Sequence, residues 1–368
     1  MPTDLPLPPG VRSRLIPHVN GLTMHVLEAG HEEAGRPMLL LLHGFPELAY
    51  SWRHQLSPLA AAGFHVVAPD LRGYGRTTGA DADYDGDLAQ FRQMNLLRDL
   101  LGLLHALGRD HVFAVIGHDF GSPVAAHAAL VRPDVFRAAA LMSAPFAGPP
   151  ALRDGQPPPG QDIVAELAEI GRKHYHWYYS TREANQDMWR PPQGLPAFIQ
   201  AYYHHKSADW AQNRPHPLTA WRAEELAKLP TYYVMNLLET MPETVAPHAP
   251  AGHAPWLTER DIGVYAGEYA RTGFQGGLNW YRIRTCGRFT ADMEAFAGRA
   301  ITVPSVFIAG AADWGVQQSP GALTRMNGVG CTDLRGIHLI EGAGHWVQQE
   351  QPQATTRHLL DFLAALRG

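Results

Sequence analysis

The pentad Gly117-His118-Asp119-Phe120-Gly121 sets an aspartate between small residues. It follows the strand-length apolar run of residues 111–116 and precedes the small-residue helix pattern of residues 122–131. Glycines on both sides let the chain turn sharply, which pushes the middle side chain out over a sheet edge. An aspartate presented in this way is either the cap of the following helix or a nucleophile. As a nucleophile on an ester or amide it would give an anhydride, an unfavourable intermediate, whereas on a saturated carbon it gives an ordinary ester that water can cleave. The residue type at 119 therefore points to an alkyl electrophile, an epoxide or a carbon–halogen bond.

Cleaving such an ester requires an activated water, and two late residues have the types for it. Asp313 follows the apolar run 305–310 within Gly310-Ala311-Ala312-Asp313-Trp314, and His345 follows the run 337–341 within Gly342-Ala343-Gly344-His345-Trp346. A histidine oriented by a carboxylate is a general base for water. The chain order nucleophile, acid, histidine is that of α/β-hydrolases. A lone histidine among the twenty of this chain would more often be structural, but three such residues, each after its own strand and in this order, argue for one site.

The elements that must carry these residues are read from periodicity. Asn20-Gly21, between two strand-like segments in residues 14–29, predicts a hairpin and an antiparallel entry to the sheet. Residues 37–42 read as a strand buried on both faces, residues 64–69 as a further strand, residues 91–107 as a helix, and residues 135–143, 305–310 and 337–341 as more strands. This alternation predicts a mostly parallel α/β sheet with its site at the carboxyl ends of the strands. The first of those ends is His43-Gly44-Phe45-Pro46-Glu47, where Gly44 permits close backbone approach and the N–H of Phe45 can face the elbow. Between Ala147 and Arg299 strands vanish, aromatic and histidine content rises, and proline-rich breaks at 148–160, 191–196 and 242–255 separate helical pieces. The expected division is a core over 1–146, a helical cap over 147–299 and the rest of the core over 300–368.

Composition sets the outer limits. A chain of 368 residues with 45% hydrophobic content can bury a large core, and a formal charge of −5 gives no electrostatic reason to expect nucleic acid or an anionic membrane as partner. The two cysteines, Cys286 and Cys331, are read as free thiols, and the proline-broken histidine run 247–255 as a loop, so no metal is expected. The N-terminus lacks the pattern of a signal peptide and no apolar run has the ~18 residues of a membrane span, which predicts a cytoplasmic protein.

Taken together these stretches resemble the α/β-hydrolase-fold epoxide hydrolases of the microbial, plant and mammalian soluble type. The resemblance covers most of the chain: His43 to Glu47, Asp70 to Arg76, Gly117 to Gly121, Asp313, His345 and the cap segment Gly273-Phe274-Gln275-Gly276-Gly277-Leu278-Asn279-Trp280-Tyr281-Arg282. It implies an α/β-hydrolase fold, a mostly parallel sheet of the eight-stranded type with an inserted helical cap. It implies Tyr281 as a ring-opening tyrosine, with Tyr175 in Lys173-His174-Tyr175-His176-Trp177-Tyr178-Tyr179 as the best match to the second. Relatives commonly have Tyr-Gln where this chain has Tyr175-His176, and Tyr178 is close by. Asp119 would attack an epoxide carbon and His345, oriented by Asp313, would activate water. Backbone N–H groups of Phe45 and Phe120 would form an oxyanion hole, and His43, Pro46, His176, Trp177, Trp314 and Trp346 would touch substrate. The products would be vicinal diols, with no cofactor, a small-molecule epoxide as the partner and a homodimer left open.

The residues bear on the alternatives. Opening an epoxide leaves an alkoxide, and a tyrosine, neutral at pH 7 with an ordinary pKa of ~10, can supply its proton. Haloalkane dehalogenases typically place a tryptophan after the nucleophile, where this chain has Phe120. Fluoroacetate dehalogenases share His176-Trp177 but carry arginines just after the nucleophile, where this chain has Phe120, Ser122 and Pro123. A dehalogenase is the second reading and a catalytically silent binding protein the third, the latter opposed by the intact set of Asp119, Asp313 and His345. The abundance of Trp, Tyr and His in the cap points to an aromatic or bulky substrate.

Overall fold

The computed structural model describes residues 4–153 and 162–367. The chain enters through a tight turn in which Asn20 (φ 47°) and Gly21 (φ 82°) are both left-handed, as a two-residue hairpin requires. That turn joins β1 (Val11–Val19) antiparallel to β2 (Leu22–Ala29). The sheet continues with β3 (Met38–Leu42), β4 (His65–Pro69), β5 (Ala114–His118) and β6 (Ala139–Met142). After the cap strands β7 (Arg172–His174) and β8 (Val234–Asn236) come β9 (Ser305–Gly310) and β10 (Leu334–Ile340). The eight-stranded order is β1-β2-β4-β3-β5-β6-β9-β10. It is antiparallel from β1 to β4 and parallel from β4 to β10.

Every residue of β3, β4, β5, β6 and β9 is buried, which is why these strands read as unbroken apolar runs. Successive side chains divide between two cores. Leu40, Leu42, Val115, Leu141 and Phe307 join the aromatic interior shared with the cap. Leu39, Leu41, Ile116, Met142 and Ile308 pack on the other face against Trp52, Leu56, Leu359 and Leu363. The sixth strand is shorter than expected from 135–143, its start reduced to a single bridge between Val112 and Phe136. The last strand begins earlier, at Leu334, and alternates half-buried and exposed positions up to the buried Ile340, as an edge strand does.

The cap departs from expectation in one respect. It is not purely helical: β7 and β8 form a short antiparallel ladder, with Lys173 opposite Met235. Three-residue strands sixty positions apart are too short to show a period. The ladder matters because β7 runs directly into the helix Tyr175–Tyr179. The proline-rich break expected at 148–160 lies outside the described residues from 154 onward. Cys286 is exposed and Cys331 buried, both free. Among the described residues no helix is long and apolar enough to cross a membrane.

The cap closes over the strand ends through direct polar contacts. Trp280 Nε1–H donates to the carbonyl of Arg72 at 2.9 Å, Tyr203 to that of Pro46 at 3.1 Å, and Arg53 Nε lies 3.0 Å from Asp261 Oδ1. The helix Gln275–Thr285 can come this close because a Cβ on Gly276 would overlap the carbonyl of Gly73. Trp280→Phe keeps the buried ring but leaves the Arg72 carbonyl without its donor, and is expected to lower stability by about 1 to 3 kcal/mol. An unchanged denaturation midpoint would show that this contact does not hold the cap.

Candidate active site

The elbow between β5 and the helix Gly121–Val131 follows from its glycines. A Cβ on Gly117 would strike the carbonyl of Gly121, and one on Gly121 would strike that of Leu42, so neither position accepts a side chain. Asp119 sits between them at φ 50°, in the left-handed region that a non-glycine residue occupies only when its surroundings enforce it. Across the sheet edge Gly44 faces the Asp119 side chain at a distance that excludes a Cβ, and the next N–H, that of Phe45, donates to Asp119 Oδ1 at 2.9 Å.

His345 stands behind this carboxylate. Its Nε2 lies 3.4 Å from Asp119 Oδ2 and makes no hydrogen bond, while its Nδ1 lies 3.1 Å from Asp313 Oδ1 and 3.0 Å from Ser143 Oγ. The Ser143 hydroxyl has one proton and donates it to Asp313 Oδ2 at 2.5 Å, so it can only accept from the ring. Two acceptors at Nδ1 hold the proton there and leave Nε2 with a lone pair aimed at the aspartate and its surroundings. The loop that carries His345 is held by Glu350, which accepts the backbone N–H groups of Gly344, Trp346 and Ala208 at 2.8, 2.9 and 2.8 Å.

Beneath the elbow lies a second, wholly buried pair. His118 Nδ1 is 2.6 Å from Glu47 Oε2, and its Nε2 donates to the carbonyl of His345 at 2.7 Å. With an acceptor on each nitrogen the ring is an imidazolium. Burial opposes that charge, but the Glu47 carboxylate outweighs it and His118 is pushed up to about 9. Burial would raise the Asp119 carboxyl, yet the adjacent His345 ring, with Lys206 and His118, holds it well below the usual carboxylate range. Lys206 is buried among the rings of Tyr202, Tyr232, Tyr233 and Trp346, with its ammonium 4.8 to 5.8 Å from their centres.

Above Asp119 lies a cavity of about 120 Å³ walled by Phe120, Tyr175, His176, Tyr281, Arg284 and Gln318 among others. The Tyr175 and Tyr281 rings meet edge to face at 5.6 Å. The Tyr175 hydroxyl donates to Gln318 Oε1 at 3.0 Å, while that of Tyr281 has no partner among the described residues. Burial raises both phenols well above their ordinary value, so both are neutral donors; the Asp119 charge adds to the effect in each. Tyr178 points elsewhere, its hydroxyl on Asp187 Oδ2 at 2.8 Å. His176 is kept neutral by burial, with His174 and Arg284 adding to it.

Of the other expected substrate contacts, five lie outside this wall. His43 bridges the Gly44 carbonyl and the Leu71 N–H, and Pro46 offers its carbonyl to Tyr203. Trp177 packs on His174, Trp314 on His216, and Trp346 stacks on Tyr203 at 4.1 Å. Conversely, Ser143, Lys206, Gln318 and Arg284 belong to the site and were not singled out in the sequence. Only Ser143 carried a signal, as the residue that ends an expected strand. Among the described residues no group of three or more His, Cys, Asp and Glu side chains is gathered for a metal ion.

This architecture defines a class: a model of the alpha/beta hydrolase fold matches residues 37–352. Epoxide hydrolase A of Mycobacterium tuberculosis is 36% identical over 367 residues, spanning 97% of this chain and 99% of the relative, and epoxide hydrolase B of the same organism is 35% identical over 94% and 97%. A solved epoxide hydrolase from an endophytic Streptomyces superposes with a TM-score of 0.78 at 33% identity, covering 98% of this chain and 97% of that one. Potato (Solanum tuberosum) epoxide hydrolase I gives 0.74 at 29% identity, over 96% and 99%. The chain belongs to the epoxide hydrolase family of the α/β-hydrolase fold.

The buried pair predicts a pH dependence. A histidine raised from its ordinary ~6.5 to about 9 contributes stability that is complete below the lower value and is lost as pH rises through the upper one. Glu350, pushed up to about 8 by burial, acts in the same direction, and Lys206, lowered to about 8 by burial, acts oppositely above that pH. His118→Gln removes one titrating group and leaves the other two. Between pH 6.5 and 8 the wild type is expected to lose more stability than this variant; parallel melting-temperature profiles would remove the charge from His118.

Proposed function

We propose that this chain hydrolyses epoxides to vicinal diols through an ester on Asp119. The observation that carries the reading is the position of one carboxylate. Asp119 sits between the Phe45 N–H at 2.9 Å and the free Nε2 of His345 at 3.4 Å, under two neutral tyrosines that line the cavity with it. An Asp119 oxygen attacks an epoxide carbon, the carbon–oxygen bond of the ring breaks, and the departing oxygen takes a proton from Tyr281 or Tyr175. His345 Nε2 then removes a proton from water, which adds to the ester carbonyl. The N–H groups of Phe45 and Phe120 receive the oxyanion, a contribution of ~3 kcal/mol per donor in comparable sites. Collapse expels the alkoxide, which takes the proton from the His345 imidazolium as the second hydroxyl; Asp119 keeps a water oxygen, and the remaining water proton returns from its carboxyl group to the tyrosinate. Asp313, shared with Ser143, holds the imidazole in the tautomer this step needs.

The tyrosines favour this over dehalogenation, since a halide leaves without a proton. Asp119→Ala is expected to abolish turnover, and in heavy-oxygen water a single turnover should label Asp119 and not the diol. His345→Gln should consume about one equivalent of epoxide and stall as the alkyl-enzyme, visible by intact mass. Halide release from a haloalkane or fluoroacetate with no diol from any epoxide would replace the reading with its rival.

The two phenols are not equivalent. Tyr281 faces the cavity unpartnered, whereas Tyr175 must leave Gln318 to reach a substrate oxygen. Tyr281→Phe is therefore expected to slow alkylation by about 30- to 150-fold and Tyr175→Phe by less, with ester hydrolysis nearly unaffected. Pre-steady-state measurement on an epoxide the enzyme turns over separates the steps; a silent Tyr281→Phe would exclude it as the donor.

A further inference from the structure

Tyr175 stands in the cavity beside Tyr281, yet its one hydroxyl proton is already taken. Its ring is fixed on several sides. It opens the helix Tyr175–Tyr179 directly after β7, and its centre lies 5.1 to 5.6 Å from those of His174, Tyr179, Tyr233 and Tyr281, with His176 at 4.4 Å. A phenol held in this way keeps its oxygen in place, and only the hydrogen turns about the carbon–oxygen bond. That hydrogen goes to Gln318 Oε1 at 3.0 Å. Among the described residues the Tyr175 hydroxyl has no other bond. With its proton on Gln318, the oxygen offers the cavity lone pairs only.

Gln318 comes to this spot from the core, 143 positions along the chain from Tyr175. It follows Asp313 by five positions, on the loop after β9. The turn between them is tied down. The Asp313 carboxylate accepts the Gly315 N–H at 2.7 Å, its carbonyl accepts that of Val316 at 3.4 Å, and the Trp314 carbonyl accepts that of Gln317 at 3.0 Å. The turn that aims Asp313 at His345 therefore also delivers Gln318 to the cavity wall.

An epoxide oxygen has no hydrogen to give, so lone pairs on a neighbouring phenol do nothing for it. Tyr281 has a free proton to offer, since its hydroxyl has no partner among the described residues. The two phenols are alike in other respects: Tyr175 is 4% and Tyr281 2% exposed, and both are neutral. What separates them is the acceptor on Tyr175.

We propose that Gln318 chooses between the two tyrosines: by holding the Tyr175 proton it makes Tyr281 the donor to the epoxide oxygen, and loss of its carbonyl brings Tyr175 into the reaction. As the ring carbon–oxygen bond breaks, the Tyr281 proton passes to the departing oxygen and leaves the tyrosinate that the second water proton later restores. Gln318 is a positioning residue, acting on this step only through Tyr175. The proposal rests on the epoxide-opening reading and adds to it the control of the proton donor.

The test is a rescue. Alkyl-enzyme formation by the full chain is timed by rapid quench and intact mass, on styrene oxide and on 1,2-epoxyhexane. Tyr281→Phe leaves Tyr175 as the remaining donor, with its proton on Gln318. Adding Gln318→Leu, which keeps bulk and removes the acceptor, is expected to speed alkylation by Tyr281→Phe about 3- to 10-fold, the worth of one neutral hydrogen bond. Gln318→Met, unbranched and equally without the amide, should do the same. In Tyr175→Phe there is no proton to release, so adding Gln318→Leu should change the rate by less than about 2-fold. A disturbance of packing at 318 would instead slow both backgrounds alike. No gain in Tyr281→Phe with either replacement, or a change of equal size in Tyr175→Phe, overturns the control by Gln318, while diol from the wild type leaves the epoxide reading standing. Absence of diol from both epoxides with the wild type overturns that reading and the control with it.

Discussion

The ion pair between Glu47 and His118 joins the three loops from which the site is built. Glu47 closes the turn after β3, His118 ends β5 immediately before the elbow, and the Nε2 of His118 holds the carbonyl of His345. The remaining acceptor capacity of Glu47 is taken by the N–H of Gly44 and by the side-chain amides of Gln348 and Gln349. Such a pair carries a large desolvation cost, which only close geometry and full hydrogen bonding offset. Both are present, with every oxygen of Glu47 and both nitrogens of His118 engaged. The separation of Asp119 from His345 is therefore set from below, by charges that never face the cavity.

The same desolvation acts on every ionisable group of the site, and the sign of the neighbouring charges decides the outcome. Asp119 is half-buried, yet the neighbouring His345, with Lys206 and His118, keeps it ionised. Tyr175 and Tyr281 are buried against that same negative carboxylate, and both influences keep them protonated. One cavity thus holds an anionic nucleophile and neutral proton donors side by side, the division of labour that opening a strained ether requires. The Lys206 ammonium among four aromatic rings supplies positive potential there without standing in the cavity wall.

Much of this arrangement was legible in the chain. Strands buried on both faces leave unbroken apolar runs, and the Asn20-Gly21 turn and the elbow demand residues that tolerate positive φ. Contacts beside the motifs were harder to read. His43, Pro46 and Trp346 adjoin motif residues, and Trp177 adjoins Tyr175 and His176, but adjacency along a chain does not give direction. Tyr178 is three positions from Tyr175 and turns to Asp187 instead of the cavity. The β7–β8 ladder escaped notice because three residues cannot display a period.

The sequence by itself determined the kinds of groups available, their order along the chain and the turns that present them, because glycine requirements and apolar periodicity are local properties of the backbone. Only the tertiary structure decided which charges meet. Glu47 lies 71 positions from His118, and Ser143 lies 170 positions from Asp313 and 202 from His345. Lys206 is buried by rings from several segments. Ion pairing and burial depend on distances across the folded molecule, and no pattern of neighbours along the chain encodes those distances.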